Sequence, residues 1–242
     1  MKFSIITCNR NNEKWLYNHI KSIQNQTFTD YEHIIVDDAS SDESINIIKN
    51  HVDKTKTKVF IRNEQVFALK NHILGLKQAS GDIIVHLDGD DWFYDSNTLE
   101  IVAEVYEKEN CLATYGGWVD SLNPSRIQTH PHPTNVVSDV RKHKHWYFTH
   151  LRTFKRELAK AINGMDLFDK NGNTNNIGAD AALLTSIYEY ALHAGKAIHI
   201  NKPLMCYNSS TGQNDCVVNL EKQIKTANNI LNSKYISYNL WK

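Results

Sequence analysis

The chain has 242 residues, 41% hydrophobic and 22% charged, which suits one large α/β domain or two small ones and is not the composition of a disordered chain. Lys plus Arg equals Asp plus Glu at 27 each, so no basic field marks a nucleic-acid binder, and a phosphate ligand needs a metal or a focused site. The four cysteines (Cys8, Cys111, Cys206, Cys216) form no CxxC pair, no apolar run approaches ~18 residues, and no signal-peptide core is present, so the expectation is a cytoplasmic protein without a transmembrane segment.

Phe3-Ser4-Ile5-Ile6-Thr7 reads as a first strand. Asn9 to Asn12 supply caps for a helix whose apolar positions are Trp15, Leu16, His19, Ile20 and Ile23. A second strand, His33-Ile34-Ile35-Val36, runs into Asp37-Asp38-Ala39-Ser40-Ser41-Asp42-Glu43. Ser40 with Glu43 predicts a capping box there, and Ile45, Ile48 and Val52 the stripe of the following helix. Val59-Phe60-Ile61 is a third strand, Phe67 to Ala79 a third helix, and Thr98 to Glu109 a further helix. Strands alternating with helices indicate a Rossmann-like, mostly parallel sheet flanked by helices. Polar strand ends in such a sheet are where ligands bind, and a nucleotide fits.

Beyond Cys111 the pattern loosens. Ala113 to Val119 reads as a strand, Asn123 to Ser138 as a loop, Lys155 to Ile162 as a helix and Asn163 to Gly178 as an Asn/Gly-rich loop. Asp180 to His193 is a helix, Ala197 to Ile200 and Leu204 to Tyr207 are short strands, and Val217 to Asn232 is a last amphipathic helix. No repeat, low-complexity tract or linker divides the chain, so a single α/β domain over 1–242 is expected.

The rest is organised around Gly81-Asp82-Ile83-Ile84-Val85-His86-Leu87-Asp88-Gly89-Asp90-Asp91-Trp92. It opens as a short apolar run, a buried strand, and ends in three carboxylates within four positions. Carboxylates with an ordinary pKa near 3.9 are all ionised at neutral pH, and each pair repels by roughly 1 kcal/mol in water and more inside a protein. A cation relieves that repulsion, and hard oxygens suit Mg²⁺ or Mn²⁺, ions that share their shell with substrate phosphates. The plainer alternative is a solvated acidic turn.

The order of features resembles the family-two GT-A glycosyltransferases. The likeness is carried by Ser4-Ile5-Ile6-Thr7, Gln26-Thr27-Phe28, Val36-Asp37-Asp38-Ala39-Ser40, Asn71 and Asp88-Gly89-Asp90-Asp91, and covers about the first hundred residues well. It implies a nucleotide-sugar-binding half over about 1–110 and an acceptor-binding half over about 111–242. The backbone around Thr7 and the Asp38 carboxylate would hold the uracil of a UDP-sugar, since a carboxylate accepts well from an N–H. Asp37 would orient the turn; helix capping is the structural alternative for this pair. Asp88-Gly89-Asp90 matches the family's DXD motif, with Asp90 the first choice for direct coordination and Asp88 and Asp91 binding through water, ribose or metal. Lys70 would contact phosphate. Members of this family carry Glu-Asp at the head of a late helix; here Asp180 is kept as the general base while Ala179 takes the Glu place. Trp118, Trp146, His150 and Arg152 are candidates for sugar or phosphate contacts, with core packing as the alternative for the aromatics.

The resemblance therefore implies a metal-dependent, inverting hexosyltransferase using Mn²⁺ or Mg²⁺, a nucleotide-sugar donor and a glycan, glycoprotein or glycolipid acceptor, with no nucleic-acid partner. The rival readings are a sugar nucleotidyltransferase and a carbohydrate-binding protein with a decayed site. A nucleotidyltransferase should carry a Gly-rich basic loop where this chain has Cys8-Asn9-Arg10-Asn11-Asn12. GxGxxG and Walker loops are absent. The loop from Asp169 has Thr174 where an EF-hand needs glycine and Asp180 where it needs Glu, and His130, His132, His143 and His145 lack partners at zinc spacing.

Overall fold

The computed structural model describes residues 1–131, 141, 148–169, 171–212 and 220–232. Strands β1 (Phe3–Asn9), β2 (Tyr31–Asp37), β3 (Thr57–Ile61) and β4 (Ile83–His86) run parallel in the order β3-β2-β1-β4. Helices α1 (Leu16–Gln24), α2 (Ser44–His51) and α3 (Phe67–Gln78) connect them. The chain moves outward from β1 to β3 and then returns to β4 on the other side of β1. This reversal opens a crevice at the C-terminal ends of β1 and β4, the usual ligand position in open α/β sheets.

The remaining elements are β5 (Trp92–Phe93), α4 (Thr98–Glu109), β6 (Ala113–Asp120), β7 (Ile127–Gln128), β8 (Arg152–Lys155), α5 (Gly164–Leu167), α6 (Ala179–His193), β9 (Ala197–Tyr207) and the last helix, α7 (Leu220–Leu231). Among the described residues nine strands form one sheet, β3-β2-β1-β4-β8-β6-β9-β5, with β7 paired to β6. The long pairings, β1 with β2 and β6 with β9, are parallel. The antiparallel ones, β4 with β8, β6 with β8, β5 with β9 and β6 with β7, are short.

Strand alternation sends successive side chains to opposite faces. Ile6 and Ile84 join Leu69 and Leu76 of α3 and Leu183, Leu184 and Ile187 of α6 in one core. Ile5, Ile83 and Val85 face the other way, onto Ile23 of α1 and Leu99 and Val102 of α4. Leu16, Ile20, Ile35 and Ile48 pack α1 and α2 over β2. The result is a three-layer α/β fold. No helix among the described residues is long and apolar enough to cross a membrane.

Several local expectations are corrected. Ser40 does not cap α2: its hydroxyl donates to Asp37 Oδ2 at 2.6 Å and accepts from the Asn11 amide at 2.9 Å, so no Ser40–Glu43 capping box forms. Asp42 Oδ1 instead accepts from Ser44 N at 2.9 Å, and Glu13 reaches across to the Glu43 amide at 2.9 Å. The Asn12 carbonyl rather than an Asn side chain receives the first amides of α1. Lys155 to Ile162 divides into the end of β8 and a 3-10 helix at Arg156–Ala161, the expected loop contains α5, and the two late strands are one, β9. The last helix is described from Leu220, and Val217 to Asn219 fall outside the described residues.

Gly81, two residues before β4, lies against the first strand. A Cβ there would stand 2.7 Å from the Phe3 carbonyl carbon and 2.8 Å from Lys2 O, both backbone atoms that cannot rotate away. Its amide also donates to Ser4 Oγ at 2.8 Å. Gly81→Ala is therefore expected to lower stability by about 1–3 kcal/mol, the usual range for overpacking. A urea midpoint equal to that of the wild type would show that β4 can shift at no cost.

Candidate functional site

The acidic segment follows β4 directly. Leu87 N donates to Ile6 O at 3.2 Å and Gly89 N to Cys8 O at 3.2 Å, so the loop is laced to the end of β1. Gly89 is closely packed: a Cβ would lie 2.7 Å from Asn9 Oδ1 and 3.1 Å from Cys8 O, so a larger residue would push the Asn9 side chain aside. Asp91 N closes the turn onto Asp88 O at 3.0 Å, and Asp91 Oδ1 accepts from Asn208 N, just past β9, at 2.8 Å.

Burial and mutual repulsion act on these carboxyls together. Burial, reinforced by Asp88, pushes Asp90 up to about 7. Burial also raises the buried Asp91 well above the carboxylate range, with Asp90 and Asp88 adding to it. Asp88, Asp91 and His150 each bring one ligand atom, all within 4.8 Å of one another. Two hard oxygens and an imidazole nitrogen suit Mn²⁺ better than the all-oxygen shell Mg²⁺ prefers. Asp90, expected as the foremost ligand, is not in this group.

Around this group stand residues from elements distant in sequence. Arg152 Nη1 donates to Asp180 Oδ2 at 2.8 Å, and Arg152 Nη2 donates to His150 Nε2. Arg152 is buried, while the Asp180 side chain is 34% exposed at the first turn of α6, where Gly178 turns the chain with φ 73°. Burial alone would raise the Asp180 pKa, but the Arg152 guanidinium and His150 outweigh it and hold the carboxyl below its ordinary range. Burial, with Arg152 adding to it, keeps His150 well below the usual imidazole range, so the ring is neutral at pH 7. His72 of α3 places Nε2 3.9 Å from Asp88 Oδ1 and stacks on His86 of β4 at 4.6 Å.

The residues expected to hold the nucleotide lie on the neighbouring strand ends. Asp37 is buried and accepts from Asn9 Nδ2 at 2.8 Å, Ser40 N at 2.9 Å and Ser40 Oγ at 2.6 Å, which closes the turn after β2. Asp38 accepts from Val66 N at 2.8 Å through Oδ1 and from Phe67 N at 2.9 Å through Oδ2, drawing the start of α3 toward the crevice. Ala39 and Phe67 take positive φ values of 58° and 68° to make this fit, each costing of order 1–2 kcal/mol. Thr7 is fully buried, its hydroxyl 2.9 Å from His19 Nε2 and 3.0 Å from His33 Nε2, so the side chain is occupied inside the fold. Lys70 is exposed on α3, and Arg62 Nε donates to Asn71 Oδ1 at 3.0 Å. Trp118 of β6 lies 5.2 Å from the Tyr207 ring, with the Arg126 guanidinium 5.3 Å over it. Trp146 lies outside the described residues, as do His132, His143, His145 and Cys216.

His72 and Arg62 carried no signal in the sequence, and His19 read only as a position on the buried stripe of the first helix, because the tertiary fold alone brings them here. The Asp169 segment is an Asx turn, its Oδ1 accepting from Asn171 N at 2.8 Å and Asn173 N at 2.9 Å.

The sequence model of the family described as Glycosyl transferase family 2 matches residues 4–173. A cholesterol galactosyltransferase of Borreliella burgdorferi is 31% identical over 166 residues, 64% of this chain and 44% of that protein. The chain spans less than half the length of the curated relatives it matches. The structure of Staphylococcus aureus TarS 1-349 in complex with UDP-GlcNAc is similar at a TM-score of 0.64, with 18% identity, covering 88% of this chain and 60% of that one. A mannosyltransferase of Pyrobaculum calidifontis in complex with GDP-Man and Mn²⁺ is similar at a TM-score of 0.60, with 18% identity, covering 85% of this chain and 56% of that one. At such identity the two structures establish the shared fold.

Proposed function

The chain belongs to glycosyl transferase family 2, and from that premise we propose that it moves a sugar from a UDP-sugar to an acceptor hydroxyl with inversion. One observation carries the reading: Asp88, Asp91 and His150 meet where the order of parallel strands reverses, beside an ionised Asp180 paired to Arg152. Asp88, Asp91 and His150 would hold a divalent ion, Mn²⁺ before Mg²⁺, which when bound neutralises the charge that gathers on a departing diphosphate. Asp38 would accept from the uracil N3–H through lone pairs that its two backbone amides leave open. The exposed Lys70 ammonium is free to swing toward phosphate oxygens, and Trp118 offers a ring face for the acceptor sugar.

Asp180 would take the acceptor proton. Its depressed pKa keeps it ionised in the resting protein, with Arg152 Nη1 donating to Oδ2 and the Ala181 amide to Oδ1, each at 2.8 Å. As the acceptor oxygen bonds to the anomeric carbon, the proton passes to Asp180 and the bond from that carbon to the diphosphate oxygen breaks, UDP leaving with the electron pair. Incubation with UDP-glucose, UDP-galactose, their N-acetyl forms and GDP-mannose in Mn²⁺ tests this. Release of UDP with a glycosylated product is expected; pyrophosphate exchange, or no turnover of any donor, would overturn it.

The raised carboxyls make a pH prediction. Because the Asp90 pKa is raised to about 7 from its ordinary value, the native state binds more protons than the unfolded state between about pH 4 and 7. The metal-free protein should therefore lose the Asp90 contribution to its thermal stability as pH rises through that window. A cation binds the ionised form, so the rise in Tm on adding Mn²⁺ should grow from pH 5.5 to 8. A Tm shift that shrinks over that range would separate the carboxyls from cation binding.

A further inference from the structure

A line of buried polar groups runs from the second strand to the acidic loop. His33 on β2, Thr7 on β1 and His19 on α1 are all buried. Thr7 Oγ1 lies 3.0 Å from His33 Nε2 and 2.9 Å from His19 Nε2, and His19 Nδ1 lies 2.7 Å from the Asp91 carbonyl oxygen. A carbonyl only accepts, so His19 carries its proton on Nδ1. With the Nδ1 proton spent on that carbonyl, the neutral ring has Nε2 left as the acceptor for the Thr7 hydroxyl. The Thr7 oxygen then accepts from His33 Nε2–H. Every proton in the line has one position, and the line ends on the backbone of the loop. One turn further along α1, Ser22 Oγ donates to His19 O at 2.8 Å and accepts from Phe93 N at 3.1 Å, so the same helix face grips the chain on leaving the loop.

We propose that His19 is the positioning residue of the acidic loop: its Nδ1–H holds the Asp91 carbonyl and so fixes where the Asp88 and Asp91 carboxylates stand. The proposal rests on the cation reading above for its consequence, not for its geometry. Repelling carboxylates splay unless the backbone beneath them is tied. Asp91 is tied on its carbonyl by α1 and on its carboxylate by the end of β9. Outer partners of this kind typically control metal affinity by about 10–100-fold.

The test uses two replacements that each keep half of the imidazole. His19→Asn keeps a donor near the Nδ1 position, and His19→Gln keeps a polar group near Nε2. In metal-free protein, amide hydrogen exchange over residues 88–93 should quicken in His19→Gln and stay near wild type in His19→Asn. Mn²⁺ affinity measured with UDP present should fall about 10–100-fold in His19→Gln and far less in His19→Asn. Equal losses in both variants, tracking Tm, would make His19 a packing residue only and overturn the proposal. Nitrogen-detected NMR of the wild type needs no variant: His19 should be the Nδ1–H tautomer and His33 the Nε2–H tautomer, and the reverse assignment would overturn it. Absence of Mn²⁺-dependent UDP binding in the wild type would overturn the cation reading alone, since exchange and tautomer are read on metal-free protein.

Discussion

Asp180→Asn is expected to lower sugar transfer by about 10²–10⁴-fold while UDP affinity stays near that of the wild type. The substitution is nearly isosteric, and an Asn oxygen still accepts from Arg152 Nη1, which now stands 2.8 Å from Asp180 Oδ2. What disappears is the negative charge. An amide cannot take the proton of an acceptor hydroxyl, so the loss falls on turnover and not on donor binding. Removing the charge also takes the Asp180 ion pair from the buried Arg152 guanidinium, so a lower Tm is expected beside the kinetic loss. Rates of UDP release with and without acceptor, together with a calorimetric UDP titration, separate the two effects. Wild-type turnover in this variant would remove Asp180 from the chemistry and leave it as a helix-terminal partner of Arg152.

The second large effect is expected at Asp88. Its carboxylate is one of three groups whose ligand atoms lie within 4.8 Å, and its charge raises both Asp90 and Asp91. Asp88→Asn should weaken Mn²⁺-dependent UDP binding by more than the roughly 10–100-fold that outer partners of a metal account for. In the metal-free protein the same change should raise Tm at pH 8, because the Asp88 charge that crowds Asp90 and Asp91 is gone. Opposite signs in one variant exclude simple unfolding as the cause. Asp90→Asn is the informative companion. If the ion sits on Asp88, Asp91 and His150, this variant keeps Mn²⁺ binding; if it loses binding as completely as Asp88→Asn, the DXD order implied by family resemblance holds and Asp90 is a direct ligand.

Much of the first half was legible because its signals are local. The β1, β2 and β4 strands show as apolar runs, and α1 as a stripe whose members Leu16, Ile20 and Ile23 are buried. Other short-range rules were overridden. Ser40 and Glu43 have capping-box spacing, yet the Asp37 side chain and the Asn11 amide claim Ser40 first. A cap is worth about 1 kcal/mol, and hydrogen bonds to a charged group are worth more. β5 and β8, of two and four residues, are too short to show an alternation; β5 forms on the edge of β9, and β8 forms between β4 and β6.

By itself, then, the sequence determined the α/β class, the acidic tip at the end of the fourth strand and the paired aspartates at the end of the second, since strand, turn and charge are written in neighbouring residues. Which groups face that tip follows from how distant elements pack around it. His19 reaches Asp91 across 72 positions and Asn208 reaches it across 117, while His150, rather than Asp90, stands with Asp88 and Asp91. No spacing rule spans such separations: the partners of a buried polar side chain are chosen by which elements pack together, and that choice belongs to the sheet order.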